Sequence, residues 1–115
     1  MKNKDPIEPI DHLIGDPGFP SRDSLSSFCI AVGLFHDAKG GSDVRAPRKW
    51  DPSRYDIWPM LELVVYNTYT DLGGRQEMRD LLYRYLKGGA EMIAGKVGGR
   101  KGTSALREIA RFIPP

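Results

Sequence analysis

The chain reads as all-α: a small single-domain bundle of four to five helices with an extended, proline-rich N-terminal arm. Three observations predict this. From Arg75 to Val97, residues Met78, Leu81, Leu82, Tyr85, Leu86, Gly89 and Ile93 recur at three- and four-residue steps, the spacing of one face of an amphipathic helix. A second stretch, Leu25 to Phe35, is apolar most of the way round, as suits a central helix. Prolines and glycines cluster between such stretches and seldom inside them.

At 115 residues the chain has room for one core. Hydrophobic content of 40% and charged content of 28% are those of a globular protein. The longest apolar runs, around 28–35 and 57–66, fall far short of the ~20 residues that cross a bilayer, so no membrane partner is expected. The first twelve residues have no apolar region of the secretory kind. A lone cysteine, Cys29, has no internal disulfide partner and reads as a small buried hydrophobe. A reducing, cytoplasmic setting fits. Net charge is +2 but uneven: residues 1–73 hold eight Lys/Arg and eleven Asp/Glu (−3), and residues 74–115 hold nine and four (+5).

Residues 1–20 carry Pro6, Pro9, Pro17 and Pro20. Proline fixes φ and turns its predecessor away from helix, so this segment is expected as an extended arm, with 21–115 as the helical domain. Ser21 is the expected N-cap of the first helix, with Asp23 at the positive end of its dipole. Leu25, Phe28, Cys29, Val32 and Phe35 line one face, and Lys39-Gly40-Gly41 is the expected stop. Residues 40–55 form a long polar loop, and a loop of that length is either functional or mobile. Residues 57–72 mix strand formers such as Val64, Val65 and Tyr66 with apolar residues at helical steps. Pro59 suits a first turn capped by Asp56, so helix is preferred. Asp80 and Arg84 stand at i, i+4 as an ion pair. Gly88-Gly89 predicts a kink, a C-cap or a smooth patch where another helix comes close. A last helix, capped by Thr103 or Ser104, turns Leu106, Ile109, Ala110 and Ile113 inward. The expected core is Leu25, Phe28, Val32, Phe35, Leu61, Val65, Leu81, Leu82, Tyr85, Leu86 and Ile93.

Two regions suit binding. In the long loop, Trp50 stands beside Arg48 and Lys49, an aromatic among cations that either meets a partner or folds back as the loop's own anchor. Near the C-terminus, the glycine-rich run Gly95–Gly102 carries Lys96, Arg100 and Lys101, with Arg107 and Arg111 just beyond. Backbone amides and cations together suit phosphate, which makes nucleic acid a candidate partner. The run is not a P-loop: Arg100 stands where the second glycine belongs, and Gly102 separates Lys101 from Thr103.

Catalytic patterns are sparse. There is no GxSxG elbow, and one cysteine with two histidines leaves little for nucleophilic or zinc chemistry. The segment Gly33–Gly41, GLFHDAKGG, resembles the His-Asp segment of HD-type metal phosphohydrolases. That resemblance implies metal ligation by His36 and Asp37, with His12 upstream and Asp71 downstream. Pro17, Gly18 and Pro20 interrupt the chain where that family has continuous helix. The plainer reading puts His36 near a helix C-terminus, where the dipole favours a cationic side chain. No metal or other cofactor is expected.

A broader layout covers most of the chain: Phe19 and Arg22-Asp23, then Ala31-Val32-Gly33, Arg45-Ala46-Pro47, Trp58-Pro59, and Tyr85 with Gly88-Gly89. It resembles small helical proteins encoded beside bacterial DNA phosphorothioation-dependent restriction genes. The resemblance implies an accessory protein of a phage-defence locus, and it assigns no catalytic residue. The sequence therefore favours a non-enzymatic interaction subunit that contacts a protein partner or another copy of itself. A nucleic-acid-binding module and an HD-like hydrolase are the alternatives.

Overall fold

The computed structural model describes residues 5–15, 18–59, 61, 63 and 75–112. Within these residues the protein is mostly helical and contains no strand. A single parallel bridge joins Ile14 to Phe19. Helix α1 runs Arg22–His36, α2 runs Arg75–Val97 and α3 runs Gly102–Ala110, with 3-10 turns at Glu8–Leu13 and Pro52–Arg54. Trp58, Pro59, Leu61 and Leu63 are also helical, and the Leu61 N–H donates to the Ile57 carbonyl at 3.0 Å. Val65 and the rest of the expected 57–72 helix lie outside the described residues. No helix among the described residues is long and apolar enough to cross a membrane.

Helix α1 begins where its cap residue directs. The Ser21 hydroxyl accepts the Ser24 N–H at 3.1 Å, satisfying an amide that has no partner inside the helix. The helix ends earlier than the Lys39-Gly40-Gly41 stop predicts. Asp37 takes the left-handed conformation at φ 51°, and the Ala38 N–H closes on the Gly33 carbonyl at 2.8 Å. Aspartate tolerates that conformation better than most residues. Here its carboxylate also accepts the Tyr85 hydroxyl at 3.1 Å.

The α1–α2 interface explains the glycines. A Cβ on Gly89 would overlap the Cys29 carbonyl oxygen, one on Gly33 the Tyr85 carbonyl, and one on Gly88 the Ala38 carbonyl. Helix α2 runs through Gly88-Gly89 without a break. Of the three readings of that pair, close helix approach is the one realised. The ~1 kcal/mol that each glycine costs in a helix is offset by contacts a larger residue would forbid. Leu25, Cys29, Ile30 and Val32 meet Leu82, Tyr85, Leu86 and Ile93 across this seam in one buried cluster.

Two parts of the expected core are corrected. Phe35 is 63% exposed, because the buried face of α1 follows Leu25, Ser26, Cys29, Ile30, Val32 and Gly33 and leaves Phe35 outside. Phe28 is only partly buried and packs at 5.4 Å on Phe19. The N-terminal segment is not extended over its described length. Glu8–Leu13 winds into a 3-10 turn with Pro9 near its start, and Ile7, Ile10 and Leu13 are buried in the core. Proline's fixed φ fits the start of a helical turn as well as extended chain.

Helix α3 also starts differently. Lys101 is its N-cap residue and supplies no side-chain cap bond, so neither Thr103 nor Ser104 caps it. Ala105 and Ile109 face inward with Phe112 beyond them; Ile113 lies outside the described residues.

Candidate functional site

The loop after α1 is stapled to α2 along the helix face expected to meet water. The Gly40 N–H donates to the Arg84 carbonyl at 2.8 Å, and Arg84 Nε donates back to the Gly40 carbonyl at 3.2 Å. The Ala46 N–H donates to Asp80 Oδ1 at 2.8 Å. Arg79 Nη2 donates to the carbonyls of Pro47 and Trp50. Asp80 and Arg84 therefore serve the loop separately. They do not pair with each other, as their spacing had suggested.

These bonds hold Trp50 half-buried. Its indole N–H donates to the Tyr55 hydroxyl at 3.1 Å, and its ring meets Tyr83 edge-on at 5.1 Å. Asp51 accepts the Ser53 hydroxyl and the Ser53 N–H and so opens the Pro52–Arg54 turn. Those two hydrogen bonds, the side-chain one foremost, lower the Asp51 carboxyl below its ordinary range.

Trp50 and Tyr55 wall a cleft of about 290 Å³ between the loop, the first turns of α1 and the N-terminal segment. Ser26 and Tyr83 lie at its floor, 3% and 5% exposed. Arg22, Lys49 and Arg54 stand around it with Asp5 and Asp23. Arg22 pairs with Asp5, and Arg54 pairs with Asp23 at 3.2 Å. Lys49 is exposed and has no ion pair among the described residues. Burial raises the Tyr83 phenol above its ordinary range; nearby Asp5 adds to the rise and Arg22 opposes it.

Of the residues expected to meet a partner, Trp50 and Lys49 line this cleft, while Arg48 is exposed on the same loop and outside the lining. The basic C-terminal set divides. Arg100 and Arg111 both pair with Glu108, at 2.6 and 3.3 Å. Lys96, Lys101 and Arg107 are exposed with no ion pair among the described residues.

The residues that the HD-type resemblance would make metal ligands have other contacts. His12 Nε2 lies 3.2 Å from the Arg100 carbonyl. His36 packs edge-on to Phe35 and Phe112, and Asp37 holds Tyr85. Asp71 lies outside the described residues. Among those described, no group of three His, Cys, Asp or Glu is placed to hold a metal ion. Cys29 is buried, which pushes its thiol up to about 12, far from the thiolate needed for reactivity.

The residues that sequence reasoning missed are Ser26, Tyr83, Tyr55, Arg22 and Arg54. They come from three separate places, Arg22 and Ser26 from α1, Arg54 and the adjoining Tyr55 from the Pro52–Arg54 turn, and Tyr83 from α2, so no local pattern marks them. In comparisons with known proteins, no family model, curated protein or solved structure matches the chain.

Proposed function

We propose that this chain is a non-enzymatic interaction protein that receives a protein partner at the Trp50 cleft. One observation carries the reading. The cleft joins an aromatic wall to a cationic rim, and its loop is tied to α2 through main-chain carbonyls and amides. A surface ordered in advance loses less entropy when a partner docks. Aromatic and arginine side chains are those that most often anchor such contacts. The layout resemblance makes the products of a phosphorothioation-dependent restriction locus, in a bacterial cytoplasm, the first partners to test.

Nucleic-acid binding is the second reading, favoured by Lys96, Lys101 and Arg107, which are exposed and have no ion pair among the described residues. With Arg100 and Arg111 held by Glu108, about three phosphates are neutralised. A plot of log K against log salt would then slope near −2.7, shallower than the −4.5 or so expected of five contacts.

Photo-crosslinking in the host cell separates the two. A benzophenone amino acid at Arg48, beside the cleft, is expected to trap a protein, and the same probe at Arg107 is not. Crosslinks at Arg107 to nucleic acid, with none at Arg48, would sink the interaction reading.

A further inference from the structure

The floor of the cleft holds two hydroxyls that no described residue bonds. Ser26 and Tyr83 are each more than nine-tenths buried, and neither hydroxyl has a hydrogen-bond partner among the described residues. Neither is sealed off, because no fully enclosed side-chain polar atom lacks a partner among the described residues. Both therefore open into the cleft that they line. Buried polar groups are nearly always paired, so two open hydroxyls on an otherwise buried floor offer their donors to whatever acceptor enters the cleft.

The charges indicate which acceptor. Three cations, Arg22, Lys49 and Arg54, stand against two carboxylates, Asp5 and Asp23, leaving one positive charge in excess. Each aspartate engages one terminal nitrogen of its arginine, and a guanidinium has five N–H donors, so donors remain on both. A lining of hydroxyl, guanidinium and ammonium donors suits an oxygen-rich anion. An excess of one suits a single negative charge, whereas a phosphate dianion would meet Asp5 and Asp23 at the same mouth. The volume of about 290 Å³ admits one side chain with its adjoining backbone, and Trp50 and Tyr55 offer apolar surface to a methylene stem.

Resting on the interaction reading above, we propose that the cleft takes the carboxylate side chain of an acidic segment in the protein partner. The carboxylate accepts the Ser26 and Tyr83 hydroxyls while Lys49 and the free arginine N–H groups balance its charge.

The test titrates the ¹⁵N-labelled full chain with the capped peptide acetyl-Gly-Glu-Glu-Glu-Gly-amide, its glutamine counterpart, and adenosine monophosphate. The acidic peptide is expected to shift the Trp50 indole and the Ser26 and Tyr83 amides saturably, and to bind at least tenfold tighter than the glutamine peptide. Tyr83→Phe and Ser26→Ala are expected to weaken it severalfold without lowering the melting temperature. Lys49→Glu should weaken it about tenfold and Lys96→Glu should leave it unchanged. Equal binding of the glutamine peptide, preference for the nucleotide, or shifts confined to Lys96 and Lys101 would overturn the proposal. If both peptides leave the cleft resonances in place while the Arg48 crosslink to a protein persists, the carboxylate proposal falls and the interaction reading stands. If the crosslink is lost as well, both fall.

Discussion

The glycine seam and the Trp50 cleft share the same two helices and treat space in opposite ways. Along the seam, Gly33, Gly88 and Gly89 bring main chain onto main chain, with no room for one methyl group. In the cleft, Ser26 and Tyr83 leave hydroxyls facing about 290 Å³ of open volume. Ser26 and Cys29 are neighbours on the buried face of α1, so one helix passes from seam to cleft within a turn. The contrast separates residues that hold the fold from residues available for contact.

The largest expected effect is at the seam. Gly89→Val drives a side chain into the Cys29 carbonyl and should cost about 3 kcal/mol or more. That is a large share of the 5–15 kcal/mol typical of a domain. Urea denaturation followed by circular dichroism measures it, and a wild-type midpoint would remove the seam from the account.

Cys29 supplies a second probe of the same packing. Its thiol is held at about 12 against an ordinary 9.0, so the unfolded chain releases this proton first. The stabilisation is fully present below pH 9 and is lost as pH rises toward 12, at up to about 1.4 kcal/mol per pH unit. Cys29→Ala should flatten that part of the alkaline stability curve relative to wild type; identical slopes would mean the thiol is not buried as described.

Cleft substitutions should behave differently. Arg54→Glu is expected to change stability by no more than about 0.5 kcal/mol, because its pair with Asp23 is exposed, while reducing binding of the acidic peptide about tenfold. A loss of stability as large as that of Gly89→Val would merge the two regions into one. Ser26→Ala acts on the fold in the opposite direction, if at all. Removing an unpartnered hydroxyl should leave the fold unchanged or stabilise it by up to about 1 kcal/mol, and calorimetry that shows a clear loss would mean the hydroxyl is bonded after all.

The helices were legible because periodicity survives tertiary context. The α2 pattern and the Ser21 cap specify themselves within a few residues, and Arg75–Val97 has the bounds its spacing predicts. The face that α1 buries was harder to read. With apolar residues nearly all round, the choice between Phe35 and the Ser26–Ile30–Gly33 side is made by what α2 presents, and small residues on both helices win. The N-terminal segment is ambiguous for a related reason: proline excludes helix interiors but permits 3-10 turns, and only the burial of Ile7, Ile10 and Leu13 decides. In the cleft, Trp50 and Lys49 were visible as an aromatic among cations. Ser26 and Tyr83 were invisible, since a hydroxyl's lack of a partner is a property of three dimensions.

Asp5 ties the start of the chain to the mouth of the cleft. Its carboxylate accepts the Ile7 N–H at 3.0 Å and also pairs with Arg22, so one residue both begins the turn that plugs the bundle and acts as a counterweight to a rim cation. Clipping the chain just before Ile7, or masking Asp5 beneath a fused neighbour, would release that guanidinium and double the positive excess at a cavity whose other walls lie up to seventy-eight positions away, at Tyr83. The appetite of the cavity for anions is thus set in part by the chain's opening residues.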